Sequence, residues 1–163
     1  MRLASAGPQR ALGAYQPRNG ATPAMSAELL FARILLGQKL SEAQEDEACA
    51  YLPRQSPNDY YGYYYASLSL IQLQNDTWKA WNRQTREHLV REQRRGGDDD
   101  GCWDMNIVRG ERGGRVYSTA LACLTLEVYY RYLPLGAENG AASKPATGPM
   151  EGPELPDIGY LAR

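Results

Sequence analysis

Apolar residues in this chain recur at three- and four-residue steps, and no stretch keeps up the strict alternation of a half-buried strand. Helix punctuation frames each periodic run. Thr22 and Pro23 supply an N-cap and a first-turn proline for AMSAELLFARILL, which should stop at Gly37. Ser41 to Gln44 make a capping box opening a polar helix that runs to Leu52, ahead of Pro53. Asn58 or Asp59 can cap YYGYYYASLSLIQLQ, and Asp76 can cap TWKAWNRQTREHLVREQ. A last helix, VYSTALACLTLEVYYRY, should continue to Pro134. The predicted fold class is all-α, with about five helices.

These helices are of two kinds. The first, third and fifth are apolar around most of their circumference, interrupted by isolated charges such as Glu28, Arg33, Glu127 and Arg131. A helix of that composition is covered on both sides. The second and fourth are amphipathic and heavily charged, so one face meets solvent. An order of inner, outer, inner, outer, inner predicts stacked helical hairpins, arranged as a solenoid or an arc of a closed ring. A weak internal repeat agrees: Gly13-Ala14-Tyr15 precedes a helix with Ser26-Ala27, and Gly101-Cys102-Trp103 precedes one with Thr119-Ala120. Ala66 occupies a similar place in the third helix. The steps between these alanines are near the roughly 40-residue scale of helical-pair repeats.

Length and charge narrow the picture. The chain's 163 residues suit one domain, and 18 basic against 19 acidic side chains, well interspersed, exclude a polyanion-binding surface for nucleic acid or anionic membrane. Cys49, Cys102 and Cys123 are expected to be buried free thiols. Neither a signal-peptide core nor a membrane span is visible, so the chain reads as soluble, with its compartment undetermined. Residues 1–8 and the Pro-, Gly- and Ala-rich 134–163 are expected to be a disordered start and tail around an ordered region at 9–133.

One motif stands out. Leu89 is followed four residues later by Gln93, and after an insertion by Gly101 and Trp103. A glutamine at a helix end can satisfy orphan backbone groups, glycine permits a tight turn, and an indole can pack over both. Gln9, Gly13 and Tyr15 form a looser copy. These residues resemble the QW motif of squalene and hopene cyclases. The region from about 9 to 135 is similar to the α/α toroid shared by terpenoid cyclases and protein prenyltransferase β-subunits. It resembles most closely bacterial proteins with prenyltransferase and squalene oxidase repeats, through PAMSAELLFARILLG, YYGYYYASLSL, WKAWN, GCWD and GGRVYSTALACLTLEVYYRYLPL. Two departures are the insertion between Gln93 and Gly101, and His88 where the motif usually carries an aromatic residue. Since the chain supplies fewer hairpins than a ring of that family, the resemblance implies a C-terminal portion of a larger toroid. Such an arc would associate with itself or with a complementary half.

The residues that carry the chemistries of that family are matched only in part. The Asp-x-Asp-Asp acid of hopene-type cyclases is not matched, because Asp98-Asp99-Asp100 is followed by Gly101; a solvated, charge-compensated turn beside Arg94 and Arg95 is expected instead. The prenyltransferase zinc set finds Asp100 and Cys102 but no downstream histidine, since the one histidine, His88, lies upstream on an outer helix. The thioester stretch of complement-type toroids is not matched at Gly101-Cys102-Trp103-Asp104. No catalytic residue, metal or cofactor is therefore assigned. The remaining leads are Tyr61, Tyr64 and Tyr65, which could line a cavity or simply pack between layers, and Glu127 with Arg131, which could pair or contact a ligand. The resulting expectation is a non-catalytic toroid-type module with a structural or binding role, open to a hydrophobic or isoprenoid ligand. The alternative is a piece of a terpenoid cyclase or prenyltransferase-like enzyme whose acid or metal residues lie in other sequence.

Overall fold

The computed structural model describes residues 5–17, 19–56, 58–105 and 110–131. Its helices are α1 (Pro23–Leu35), α2 (Glu42–Tyr51), α3 (Tyr60–Leu73), α4 (Asp76–Glu92) and α5 (Gly110–Arg131), and the fold is all-α. Two short strands, β1 (Ser5–Ala6) and β2 (Leu12–Gly13), pair antiparallel ahead of α1. Residues 5–8, expected to be without structure, thus lie in a strand and turn. The 134–163 segment lies outside the described residues. Among the described residues no helix is long and apolar enough to cross a membrane.

The caps follow the local chemistry. Thr22 accepts from the Met25 amide, Ser41 and Gln44 complete both arms of a capping box, and Asp59 accepts from the Gly62 amide. At α4 the cap is Asn75, which accepts from the Trp78 amide, rather than Asp76, which is the first helical residue. Asn75 is preferred there because its amide group also donates to Glu45 Oε1 and Cys49 Sγ on α2, tying two helices together. The last helix is interrupted at Gly114, whose φ of 67° and ψ of −171° only glycine adopts without strain, so regular helix resumes at Arg115.

The layers follow from which helices pack. α3 lies between α1 and α5, α2 packs against α1, and α4 packs against α3 and α5. Composition explains the arrangement. Nine residues of α3 are buried, including Tyr60, Tyr63, Leu68, Leu70 and Ile71, whereas α2 buries only Ala48. Leu30, Leu52, Leu70, Leu89 and Val128 are fully enclosed, and each such side chain contributes about 1.5–3 kcal/mol through lost apolar exposure. α3 also makes polar contacts with its neighbours: Ser69 Oγ donates to the Ala27 carbonyl of α1 at 2.7 Å, and Trp81 Nε1 of α4 donates to Ser67 Oγ at 2.9 Å.

One expectation of burial and one of repeat register are corrected. Cys49 and Cys102 are half-buried and Cys123 is exposed, because Cys123 sits on the side of α5 that carries exposed Val116 and Ala120. Ala27 and Ala66 are fully buried, but Ala120 is exposed, and Ala122 is the small residue that packs in α5.

Candidate functional site

The turn from Gln93 to Asp104 is built as a closed loop on the end of α4. Gln93 Nε2 donates to the Gly101 carbonyl at 3.0 Å, and the Arg94 and Cys102/Gly101 backbones exchange hydrogen bonds at 2.9 Å. Gly101 adopts a φ of 81°, which the turn requires. Trp103, 2% exposed, donates its indole N–H to the Leu89 carbonyl at 2.8 Å. The roles therefore differ from the sequence expectation: the indole joins the Gln93 amide as a second donor to the Leu89 carbonyl, and the glutamine side chain closes the loop. Asp98 and Asp99 lie in a short 3-10 turn over Gly97–Asp99, and Asp100 is its C-cap. Asp100 accepts from the Gly96 amide, Asp99 pairs with Arg115 of α5, and Arg94 pairs with Asp104 at 2.8 Å. The compensating cation is thus Arg115, brought from another helix, as well as a neighbour in the turn.

The N-terminal segment shows how the looser copy differs. Glu47 of α2 accepts from the Gln9 and Ala11 amides, while Gln44 Nε2 donates to the Gln9 carbonyl at 3.1 Å. Gly13 lies so close to α1 that an added Cβ would stand 2.3 Å from the Met25 carbonyl oxygen. Its amide donates to Ser26 Oγ at 3.0 Å, as the Trp103 amide donates to Thr119 Oγ1 at 3.1 Å. By these bonds Gly13 corresponds to Trp103, so the repeat is offset by two residues from its sequence match. Tyr15 consequently does not take the buried place of the indole and is 77% exposed.

That offset leaves Tyr15 free for another position. With Thr22, Met25 and Glu28 of the α1 edge and Tyr61 of α3, it lines an open concavity of about 580 Å3. The loop leading into α1 is fixed by Tyr51, whose hydroxyl donates to the Ala21 carbonyl at 2.8 Å. The Tyr61 hydroxyl is hydrogen-bonded to Glu28, and burial together with the Glu28 charge raises its pKa well above the ordinary tyrosine value. The Tyr61 and Tyr65 ring centroids are 4.8 Å apart, and those of Tyr65 and Tyr64 are 5.4 Å apart. Tyr64 and Tyr65 thus adjoin Tyr61 in a chain of rings without lining the concavity themselves.

Elsewhere the aromatic helix is structural. Tyr60 and Tyr63 point into the core, with Tyr63 edge-on to Trp81 and His88. His88 is held by Asn58 Oδ1 at 3.2 Å and by Arg91 at 3.0 Å. A crevice of about 20 Å3 between α3, α4 and α5, lined in part by Ser67, Thr85 and Thr125, has room for a single water. Glu127 is half-buried on α5, where its charge, after burial, helps raise the Cys123 pKa; the Arg131 side chain lies outside the described residues. The described residues contain no cluster of histidine, cysteine, aspartate or glutamate able to hold a metal ion.

Sequence reasoning did not assemble Tyr15, Met25, Glu28 and Tyr61. One signal was present: Thr22, Met25 and Glu28 recur at three-residue steps, and Glu28 is a lone carboxylate on an apolar helix. The chain matches no family model, no curated protein and no solved structure.

Proposed function

We propose that this chain is a non-catalytic helical-repeat module of the α/α-toroid type, related in architecture to the squalene cyclase and prenyltransferase repeats, and that it binds through the concave side of its inner helices. The observation that carries this reading is the concavity of about 580 Å3 between Tyr15, the edge of α1 and Tyr61, within the usual volume range of small-molecule sites. Two aromatic rings and a thioether give it an apolar wall, which favours a ligand with a hydrocarbon body. The alternation of inner α1, α3 and α5 with outer α2 and α4 supports the toroid relation.

Native mass spectrometry with squalene and with polyprenyl alcohols tests the binding role. A stoichiometric adduct that weakens in Tyr61→Ala supports it; an adduct that survives Tyr61→Ala and Tyr15→Ala together places the ligand elsewhere and removes the reading. Association with itself or with a complementary half belongs to the same proposal, since an arc of hairpins leaves terminal faces such as Val116 and Tyr130 of α5 exposed. Light scattering behind size exclusion should show mass rising with concentration, and a constant monomer mass would remove that part.

A further inference from the structure

The composition of the concavity points beyond an apolar ligand. Its wall carries two aromatic rings, a thioether, a capping hydroxyl and one carboxylate, with no basic side chain among the lining residues. The basic residue next along α1, Arg33, is turned away and donates to the Arg10 carbonyl at 2.9 Å. The Glu28 carboxylate is oriented by the Tyr61 hydroxyl, and the ring of Tyr61 is buttressed by Tyr65 at 4.8 Å. Tyr15 adds a second ring that the packing of this chain leaves exposed.

A carboxylate flanked by aromatic faces at the side of an apolar hollow attracts a cation that also carries a hydrocarbon body. The same carboxylate repels a phosphate or diphosphate head, and the lining offers no arginine or lysine to offset that repulsion. We infer that the Tyr15–Glu28–Tyr61 concavity is a site for organic ammonium ions with an apolar chain, the ammonium group meeting Glu28 and the two rings, and the chain lying along Met25. This deepens the proposed binding role and rests on it.

Three ligands with one hydrocarbon tail separate the two claims: geranylamine, geraniol and geranyl diphosphate, titrated calorimetrically into the full chain without divalent metal. The amine should bind at least about tenfold more tightly than the alcohol, and the diphosphate most weakly. Glu28→Gln should bring the amine down to the affinity of the alcohol while leaving the alcohol unchanged. Equal binding of amine and alcohol by the native chain overturns the ammonium site and leaves the binding face standing. A preference for amine that persists in Glu28→Gln also overturns it, and no binding by any of the three removes the binding face itself. Should Glu28→Gln fail to fold, Tyr15→Ala at the exposed rim decides: it should weaken the amine several-fold and the alcohol less, and an equal effect on both counts against the site.

Discussion

At Trp103 one side chain performs two tasks that substitution can separate. The ring is 2% exposed and its N–H satisfies the last-turn carbonyl of Leu89. Trp103→Phe keeps most of the apolar contact and should cost about 0.5–1.5 kcal/mol, because the Leu89 carbonyl loses the indole N–H but keeps the Gln93 amide. Trp103→Ala removes both and should cost about 3–5 kcal/mol, read from urea midpoints. Replacing Asp98, Asp99 and Asp100 together by Asn should cost less than about 1 kcal/mol, since the Asp99–Arg115 pair is partly exposed. A triple variant as unstable as Trp103→Ala would mean that the acidic turn, and not the indole, closes this end of α4. Tyr60 gives the complementary case in pH. Burial, and then the negative charge of Tyr63, Asp104 and Glu92, push its pKa up to about 12 from 10.0. The folded state therefore holds its proton after the unfolded chain has begun to lose it. That contribution is complete below pH 10.0 and is lost as pH rises towards about 12. The urea midpoint should fall through that window, and Tyr60→Phe should flatten the fall; an unchanged slope in the variant would assign the effect to other tyrosines.

Between elements, β2 lies against the backbone of α1 at Gly13. A Cβ at Gly13 would stand 2.3 Å from a backbone oxygen, which cannot turn aside as a side chain can. Gly13→Ala should therefore cost more than about 2 kcal/mol, while Gly20→Ala, with open space around it, should be nearly neutral; thermal melts of the pair provide the comparison. Similar effects at both positions would show that α1 shifts to make room. The caps were legible in the sequence because each is settled within four residues: Thr22, Ser41 with Gln44, and Asp59 act on amides of their own first turn. Asn75 was displaced by one position from the expected Asp76 because its choice depends on Glu45 and Cys49, which are distant in sequence. The repeat register failed for the same reason. Matching Gly13 with Gly101 respects residue type, but the hydrogen bonds to Ser26 and Thr119 pair Gly13 with Trp103. Without that offset Tyr15 would be a core residue, and the concavity it lines could not be inferred from spacing alone.

In the molecule as a whole, α3 is the element on which the others depend. It packs against α1, α4 and α5, and its two serines face the packed neighbours rather than solvent: Ser69 bonds to Ala27 of α1, and Ser67 receives the indole N–H of Trp81 in α4. Hydroxyls at such positions fix the relative height of two apolar helices that could otherwise slide, because a shift of one residue would strand a buried donor or acceptor. Ser69→Ala should cost about 1–2 kcal/mol, as it leaves the Ala27 carbonyl without its extra partner. Native-state hydrogen exchange reports the larger consequence. Amides in the middle of α3 should open only with global unfolding, so their exchange free energy should drop by the full equilibrium cost of Ser69→Ala. Amides of α2, which buries only Ala48 within its length, should exchange through local opening and be unaffected by that substitution. If α2 and α3 instead lose protection equally, the two layers unfold as one unit, and the inner helices do not form a separable core on which the outer ones rest.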